Sequence, residues 1–522
     1  MEKYEETVES NGNAPRKFAS QNNLKRTLKS RHMSMIAIGG TIGTGLFVAS
    51  GNSLSVAGPA GALVSYTLVG LIIFFVMTSL AEMSTYIPVS GSFNSFADRF
   101  VDPAFGFAIA YNYYYNWVVA NATDLVAGGI IMQYWLPHVN TVIWSLMLMA
   151  IIVFLNLFGA KLYGEAEFWL ALIKVIAIVA FIIIGILVAA GALGGHKYAF
   201  SNWTIEGAPF VDGFPGIIKV FVVAGFSFQG TEVIGITAGE SANPSRDVPK
   251  TIRSIFWRIL LFYVLTILVI GLVVPYDDPN LVNGDVSSIA VSPLVIVMEK
   301  AGLKSASDIM NAVILTSVLS AGNSGQYITS RILTSLAAEG KSWSGFTKVN
   351  KQGTPLYSLA VGTIIVCILF GISFIGNQVV YTWLVDFAGV AGFLSWAGIL
   401  FTHWRFRRAY KLQGYDLLEL PYQAGFYPFG PFFSFFCLIF IILAQGYESF
   451  LTDGFHASDF IKSYAGIPLF LIMLVGYKLK CKTKMVPLEE MDLETDSFIQ
   501  LGFPSVRHEK TSWKETIMSI LN

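Results

Sequence analysis

The sequence predicts an all-α integral membrane protein with twelve transmembrane helices. Its 522 residues are 54% hydrophobic and only 13% charged, whereas soluble proteins contain about 25% charged residues. A window of about twenty residues, the length that a helix needs to cross the hydrocarbon core, finds twelve apolar segments. They lie at 34–57, 61–86, 104–136, 141–160, 166–192, 214–239, 254–274, 306–330, 355–375, 379–404, 429–451 and 463–480.

The first and sixth of these segments are interrupted at matching places by glycine-rich stretches. The first contains Ala37-Ile-Gly-Gly-Thr-Ile-Gly-Thr-Gly-Leu-Phe47, and the sixth contains Ala224-Gly-Phe-Ser-Phe-Gln-Gly-Thr-Glu232. No water solvates a backbone at mid-bilayer, so a helix break persists only where protein covers it or where it lines a cavity. Paired breaks indicate the substrate site of a transporter. The alternative is that these glycines only allow helices to pack closely.

The distribution of lysine and arginine predicts that both termini are cytoplasmic. With this orientation the outer loops contain only Lys197, Lys300, Lys304 and Lys462, and the inner loops and tails contain many more basic residues. Residues 1–32 and 483–522 are then cytoplasmic tails on either side of a membrane domain at 33–482. Their polar composition with mixed charges predicts that both tails are largely disordered.

Several functional classes find no support in the sequence. The formal net charge is zero, which gives no indication of nucleic-acid binding. Cys367, Cys437 and Cys481 have neither disulfide nor metal-site spacing. We recognise no phosphate loop and no soluble catalytic domain, so we expect neither an enzyme nor a transporter driven by ATP on this chain. We expect no metal and no organic cofactor.

Charged residues inside apolar segments are candidates for function, because each costs about 2.5–3.5 kcal/mol at the centre of a membrane helix without a partner or a cavity. Those well inside a segment are Asp124, Lys174, Glu232 and Asp386. Lys174 is either a proton carrier or a fixed ammonium that joins helices, and the sequence leaves both open. Near the cytoplasmic ends, Glu82 is either a structural cap or gate or a ligand of the substrate, and Glu240 is a gating candidate or a partner of loop charges.

Seven strings resemble the amino acid permease branch of the amino acid–polyamine–organocation superfamily. They are Arg31-His-Met-Ser-Met-Ile-Ala-Ile-Gly-Gly-Thr-Ile-Gly-Thr-Gly-Leu-Phe47, Pro88-Val-Ser-Gly-Ser-Phe93, Gly164-Glu-Ala-Glu167, Gly225-Phe-Ser-Phe-Gln-Gly-Thr-Glu232, Ala238-Gly-Glu-Ser241, Ser320-Ala-Gly-Asn-Ser-Gly325 and His403-Trp-Arg-Phe-Arg-Arg408. The resemblance runs from about Leu28 to about Lys482. Within this branch the chain resembles bacterial lysine-specific permeases more than fungal basic amino acid permeases.

This resemblance implies a plasma-membrane protein with a 5+5 inverted repeat (LeuT-type) and unwound helices one and six. The repeats would cover about 33–195 and about 213–410, and two peripheral helices would cover about 428–482. Amides of the first break would hold the carboxylate of an amino acid at Thr41, Ile42, Gly43, Thr44 and Gly45. The second break would hold its α-ammonium, with Phe226 as an aromatic lid, at Phe226, Ser227, Phe228, Gly230 and Glu232.

Lys174 matches a family lysine that is thought to stand in for a sodium ion. The resemblance therefore implies proton coupling through Lys174, with Glu232 as a second candidate and the proton as the coupling ion. A lysine substrate would also need acceptors for its side-chain ammonium. The candidates besides Glu232 are Tyr113, Trp117, Asp124, Asn323, Asp386 and Ala388.

One stretch departs from the family pattern. Related permeases have Asn-x-Thr/Ser-Gly in span ten, whereas this chain has Asp386-Phe-Ala-Gly389, in which the hydroxyl is lost and a carboxylate appears. The choice among lysine, arginine and ornithine therefore stays open. We expect a proton-coupled, secondary-active importer of basic L-amino acids, lysine first, that works by alternating access. The alternatives are an obligate cationic amino acid exchanger and a lysine sensor that acts with a partner protein.

Overall fold

The computed structural model describes residues 28–89, 91–241, 243–282, 292–303, 305–371, 377–450 and 457–502. Within these ranges the chain is helical, and its extended backbone pairs only in one isolated bridge, between Leu28 and Ser241. The helices are α1 (Ser30–Thr41), α2 (Thr44–Phe47), α3 (Ala49–Tyr86), α4 (Ser92–Phe100), α5 (Pro103–Gln133), α6 (Thr141–Leu157), α7 (Ala160–Ala189), α8 (Gly213–Phe228), α9 (Val233–Ala238), α10 (Pro244–Val273), α11 (Pro279–Val282), α12 (Pro293–Lys300), α13 (Ala306–Ala338), α14 (Leu356–Gly371), α15 (Asn377–Leu412), α16 (Phe429–Ala444), α17 (Ala457–Tyr464) and α18 (Gly466–Cys481).

Three of the described helical stretches are long and apolar enough to cross a bilayer, judged by length and composition. They are Ala49–Tyr86, Ala160–Ala189 and Gly213–Ala238. Shorter apolar stretches occur at Thr141–Leu157, Leu261–Val273, Leu356–Gly371 and Phe429–Ala444. An all-helical chain of this composition fits an integral membrane protein, and the count of twelve spans stays a prediction.

Helix α3 joins the end of the first predicted span to the second through a kink. Gly58 has a φ of +72°, and Pro59 follows it. A left-handed φ suits glycine, and proline has no N–H for the helix, so the helical hydrogen bonds are interrupted here. A Cβ atom at Gly58 would lie 2.7 Å from the carbonyl oxygen of Pro209. Glycine is therefore required both for the turn and for this close approach.

The distribution of apolar and polar side chains fits a protein that is surrounded by lipid. Large apolar residues on several helices face outward, among them Phe154, Ile176, Ile368 and Phe436. Many polar and charged side chains are instead buried between helices. Helix α3 packs on α8 and α10, and α5 packs on α13 and α15. These packed helices surround the two chain breaks where we predicted a substrate site.

Our expectation of a disordered C-terminal tail is wrong for residues 483–502, which dock on one end of the bundle. The Val486 N–H donates to the Val101 carbonyl at 2.9 Å, and the Phe498 N–H donates to the Tyr86 carbonyl at 2.8 Å. The tail also buries the side chains of Met491, Leu493 and Phe498. These apolar residues stand singly among acidic ones, so no helical or strand periodicity indicated the docking. We call this end of the bundle, which also carries Leu28, the terminal face.

Two arginines of the bundle hold the docked tail through its backbone. The Arg99 Nη1 donates to the Thr495 carbonyl at 2.7 Å, and the Arg405 guanidinium donates to the Val486 carbonyl. Burial acts to raise the pKa of Asp492, but hydrogen bonds from Thr495 and the nearby Arg99 charge outweigh burial and lower it. The Asp492 carboxylate is therefore ionised at neutral pH and favours the docked arrangement.

Replacing Phe498 by alanine is expected to release the tail from the terminal face. Truncating a buried phenylalanine costs about 3–5 kcal/mol, which is large for a segment held by few contacts. Limited proteolysis of the purified protein, with mapping of the cleavage sites, measures the release. Ile499→Ala is the control, because Ile499 is 54% exposed. Equal protease resistance of all three proteins would contradict the docking.

Candidate substrate site

The two breaks pack directly against each other. A Cβ atom at Gly45 would lie 2.5 Å from the Cα of Ser227, and a Cβ atom at Gly230 would lie 2.5 Å from the carbonyl oxygen of Gly40. Both distances are shorter than real contacts allow. Gly230 also has a φ of +98°, which side-chain-bearing residues rarely adopt. Glycine at these positions lets the backbones of both breaks form the walls of one site.

Only part of the first break offers free backbone donors. Helix α2 begins at Thr44, so the first amides, at Thr44 and Gly45, have no partner within that helix. Ile42 differs from our expectation, because its N–H donates to the Ile38 carbonyl at 3.0 Å. The Thr41 hydroxyl also donates to carbonyls of its own helix.

Gly43 follows Ile42 in the first break. Its carbonyl accepts a hydrogen bond from the Phe47 N–H at 3.3 Å. A Cβ atom at Gly43 would lie 3.3 Å from the Cβ of Ala321, so the residue lies close to α13. The amides of Gly43, Thr44 and Gly45 therefore stay the candidate donors for a substrate carboxylate, next to α13.

Tyr263 of α10 joins carbonyls of both breaks, and the sequence did not indicate it. Its hydroxyl lies 2.7 Å from the Thr41 carbonyl and 2.5 Å from the Ser227 carbonyl. Its ring stacks on Phe228 with centroids 4.4 Å apart, and the Ser227 hydroxyl lies 3.1 Å from that of Tyr66. A single hydroxyl proton serves two carbonyls here, so both carbonyls retain capacity to accept from an ammonium group.

Replacing Tyr263 by phenylalanine is expected to weaken lysine binding about tenfold. The change keeps the stacked ring but leaves two buried carbonyls without this donor, which costs about 1–3 kcal/mol and loosens the breaks. Equilibrium binding of labelled lysine to the purified protein measures the effect. Tyr66→Phe removes a hydroxyl from the same cluster without touching either carbonyl. A larger loss in Tyr66→Phe than in Tyr263→Phe would contradict this role.

Glu232, at the end of the second break, is buried and accepts hydrogen bonds from a ring of uncharged donors. Its Oε1 accepts from the Tyr113 hydroxyl at 2.9 Å and from the Gly230 N–H at 3.2 Å. Its Oε2 accepts from Trp396 Nε1 at 3.2 Å and from the Thr231 hydroxyl at 3.3 Å. The sequence indicated Tyr113 and Glu232, but a tryptophan in an apolar segment gave no sign of its polar contact.

Gln229, also in the second break, links it to two neighbouring helices. Its Nε2 donates to the Ala388 carbonyl of α15 at 2.7 Å, and its Oε1 accepts from Asn116 Nδ2 of α5 at 3.1 Å. Ala388 thus contributes a carbonyl to this wall. Among the other candidates, Phe226 is buried on α8, Trp117 packs edge-on against Tyr113 with centroids 6.1 Å apart, and the Asp386 side chain lies outside the described residues.

A second polar cluster surrounds Lys174 of α7. The Lys174 Nζ donates to the Gly39 carbonyl at 2.5 Å, and its ammonium interacts electrostatically with the carboxylates of Glu167 and Asp124. Asn323 Nδ2 donates to Glu167 Oε2 at 3.2 Å. Asp124 and Asn323 therefore belong to the polar cluster around Lys174. Asp124 is also eleven residues after Tyr113 on α5, which is about 16 Å along the helix axis.

The two gating candidates are held in buried ion pairs near the terminal face. Glu82 of α3 accepts from Arg407 Nε at 2.6 Å and from Nη2 at 2.5 Å. Glu240, just after α9, accepts from Arg331 Nε of α13 at 3.1 Å. The first pair connects α3 to α15, and the second connects the end of the sixth predicted span to α13. Breaking a buried ion pair by removing one partner costs about 3–5 kcal/mol, so both connections are strong.

Comparison with known proteins assigns the chain to a family. The amino acid permease family profile matches residues 32–489. The chain is 50% identical over 469 residues to the lysine-specific permease LysP of Escherichia coli (strain K12), covering 90% of this chain and 96% of that protein. It is 46% identical over 480 residues to LysP of Lactococcus lactis subsp. cremoris, covering 91% and 94%. It is also 46% identical over 478 residues to the histidine permease HisP of that organism, covering 91% and 99%. The chain therefore belongs to the amino acid permease family.

Proposed function

We propose that this protein imports basic L-amino acids, lysine first, by proton-coupled secondary-active transport. The observation that carries the proposal is Glu232, a buried carboxylate in the second break whose hydrogen-bond partners among the described residues are all uncharged. Burying a carboxylate is costly unless a cation balances it. The side-chain ammonium of lysine supplies that cation when the substrate is bound.

The site offers complementary groups for the rest of an amino acid. The amides at Thr44 and Gly45, which begin α2 and have no partner within it, suit the α-carboxylate, and the carbonyls of Thr41 and Ser227 suit the α-ammonium. Because the Gly230 backbone lies against Gly40 and its N–H donates to Glu232, the carboxylate adjoins these backbone groups. One elongated substrate with a cation at each end fits this order of acceptors.

The relatives support a basic substrate class. Two of them are named lysine-specific permeases and one is named a histidine permease. The Lactococcus lysine and histidine permeases are equally similar to this chain, at 46% identity. Overall identity therefore does not decide between lysine and histidine as the substrate. The proposal of lysine rests on its side-chain ammonium, which is charged at neutral pH and balances the Glu232 carboxylate, whereas a histidine side chain is mostly neutral there.

The energy available and the buried Lys174, which lies near the carboxylates of Glu167 and Asp124, support the proposal of proton coupling. A cationic amino acid with one proton moves two charges inward, which at about 100 mV is worth roughly 4.6 kcal/mol. This corresponds to about three decades of accumulation.

In the proposed orientation the terminal face is cytoplasmic in the plasma membrane. Its arginines, among them Arg99, Arg405 and Arg407, agree with the positive-inside rule.

Uptake of labelled lysine into proteoliposomes, with and without an imposed inward proton gradient, tests the proposal. Arginine, ornithine and histidine serve as competitors. We expect gradient-driven accumulation that unlabelled lysine inhibits at the lowest concentration. Uptake only into vesicles preloaded with a cationic amino acid would identify an obligate exchanger. Binding without any uptake would identify a sensor, and stronger inhibition by histidine than by lysine would overturn the lysine assignment.

A further inference from the structure

Helix α7 contains a second buried ionisable residue, Glu167, which our sequence analysis did not single out as a site residue. It lies seven residues before Lys174, so the two side chains project from the same face of the helix. Both side chains are fully buried. The substrate site does not use Glu167, since the groups that surround Glu232 are Tyr113, Trp396 and the second break.

Glu167 and Lys174 meet at the same residue of α1. The Lys174 Nζ binds the Gly39 carbonyl at 2.5 Å, and a Cβ atom at Gly39 would lie 2.1 Å from Glu167 Oε1. Gly39 is two residues before the end of α1 at the first break. The ammonium and the carboxylate therefore both lie against the backbone that leads into the substrate site.

The other partners of Glu167 are neutral groups of α13. Its Oε1 accepts from the Ser320 hydroxyl, and its Oε2 accepts from Asn323 Nδ2 at 3.2 Å. Asn156 of α6 fixes Asn323 by donating to its Oδ1 at 2.8 Å. Among the described residues, Glu167 interacts electrostatically with Lys174 and with Tyr163, both on α7. Glu167 thus connects α7 to α1 and α13, and Lys174 is a cationic neighbour of its carboxylate.

Polar groups continue from Glu167 toward the terminal face. Ser324 interacts with Glu167, and its hydroxyl lies 3.0 Å from that of Tyr163. The Tyr163 ring stacks on Tyr327 with centroids 4.0 Å apart. The Tyr327 hydroxyl donates to Glu240 Oε1 at 2.6 Å. Hydrogen bonds thus lead from Glu167 to the Tyr163 hydroxyl and from the Tyr327 hydroxyl to Glu240, and the two stacked tyrosine rings lie between the Lys174 cluster and the ion pair at the terminal face.

We propose that Glu167 accepts the proton that Lys174 releases and passes it toward the terminal face. In this step an N–H bond of the Lys174 ammonium breaks and an O–H bond forms on Glu167, which leaves a neutral amine and a neutral acid. The total charge of the pair is zero before and after the step, so no net charge is created in the interior. The acid then gives its proton, by way of the Ser324 and Tyr163 hydroxyls, to water that enters from the terminal face. This leaves a Glu167 carboxylate beside a neutral Lys174 until Lys174 takes up the next proton. This inference rests on the proposed proton coupling.

The step also explains how proton release could act on the substrate site. Neutral Lys174 and neutral Glu167 make weaker hydrogen bonds than their charged forms, because charge-assisted bonds are about twice as strong. The contact of Lys174 with Gly39 and the contacts of Glu167 with α13 therefore weaken together. The α1 backbone is freed from α7 and α13 at the stage when the substrate leaves.

Glu167→Gln tests the relay, because it keeps the shape of the side chain but cannot take up a proton. Glu165→Gln is the matched control on the same helix, where Glu165 pairs with Arg31 at the surface. Two assays in proteoliposomes separate coupling from binding, namely accumulation of lysine driven by a proton gradient and counterflow without a gradient. We expect accumulation in Glu167→Gln to fall about a hundredfold, while counterflow stays near the wild-type rate.

The outcomes distinguish the relay from the proposed function itself. If the wild type accumulates no lysine in response to the gradient, the proposed coupling fails before Glu167 is in question. If the wild type does so and Glu167→Gln accumulates lysine equally well, the relay is wrong. Loss of counterflow together with accumulation would mean that Glu167 is a structural link, which also overturns the relay.

Glu167→Asp provides the second measurement, should the glutamine variant fail to fold. It retains a titratable group at a changed distance from Lys174, so we expect gradient-driven uptake to persist with a shifted pH dependence. Glu165→Gln should leave the pH dependence unchanged. An unshifted profile in Glu167→Asp would contradict the relay.

Discussion

Replacing Glu232 by glutamine is expected to weaken lysine binding about a hundredfold or more, the largest effect that we predict for a substitution in the substrate site. Removing one member of a buried charge pair costs about 3–5 kcal/mol, because the other member stays unpaired. Here the unpaired member would be the side-chain ammonium of bound lysine. Each 1.4 kcal/mol corresponds to about a tenfold change in affinity.

The four donors around Glu232 explain why glutamine is an informative replacement. The Tyr113 hydroxyl and Trp396 Nε1 both donate to the carboxylate, and a glutamine oxygen can accept only from one side of the group. The amide nitrogen then faces a donor, which adds to the loss. The side-chain volume is nearly unchanged, so the walls formed by these aromatic residues keep their positions.

Competition binding with norleucine separates the charge effect from damage to the site. Norleucine has the four-carbon side chain of lysine without the terminal ammonium, so Glu232→Gln should not weaken its binding. Asp124→Asn is the matched control, because Asp124 lies near Lys174 rather than near Tyr113. Equal losses for lysine and norleucine would show that Glu232 supports the fold of the second break and does not bind the side chain.

The sequence allowed prediction of both breaks, because their cause is local. Glycine-rich strings inside apolar segments cannot continue a stable helix, and the interruptions occur at Ile42–Gly43 and between Phe228 and Val233. Glu232 could also be predicted as a candidate site residue, because a carboxylate in an apolar segment is rare and is costly without a partner or a cavity. These signals are each contained in fewer than a dozen residues.

The partners of these groups were not predictable, because they come from distant helices. Tyr263 and Trp396 look like ordinary aromatic residues of a membrane helix until the structure shows which oxygen each one faces. Asn323 was a candidate acceptor for the side chain of the substrate, and in the structure it lies beside Glu167. The spacing of Glu167 and Lys174 on one helix face was available in the sequence, but their shared contact at Gly39 was not.

Replacing Lys174 by glutamine is expected to abolish accumulation of lysine driven by the proton gradient. Glutamine keeps a donor for the Gly39 carbonyl, which Lys174 binds at 2.5 Å, but it cannot carry a proton. The charge of the proton is worth about 2.3 kcal/mol at about 100 mV, so up to about 1.7 decades of accumulation should disappear. Exchange of lysine across the vesicle membrane should continue, because the groups that contact the substrate are unchanged. Gradient-driven accumulation by this variant at the wild-type level would exclude Lys174 as the proton carrier.

The same substitution has a second consequence that uses Glu167 as an internal control. Without the Lys174 ammonium, Glu167 is a buried carboxylate that has lost its cationic neighbour, so the single variant should lose about 3–5 kcal/mol of stability. Adding Glu167→Gln removes the unpaired charge, so the double variant should recover part of that loss. Thermal unfolding in detergent of the wild type, both single variants and the double variant measures the coupling free energy. A strongly non-additive cycle is the result expected of a charge pair at Gly39, and simple additivity would show that Lys174 and Glu167 act independently.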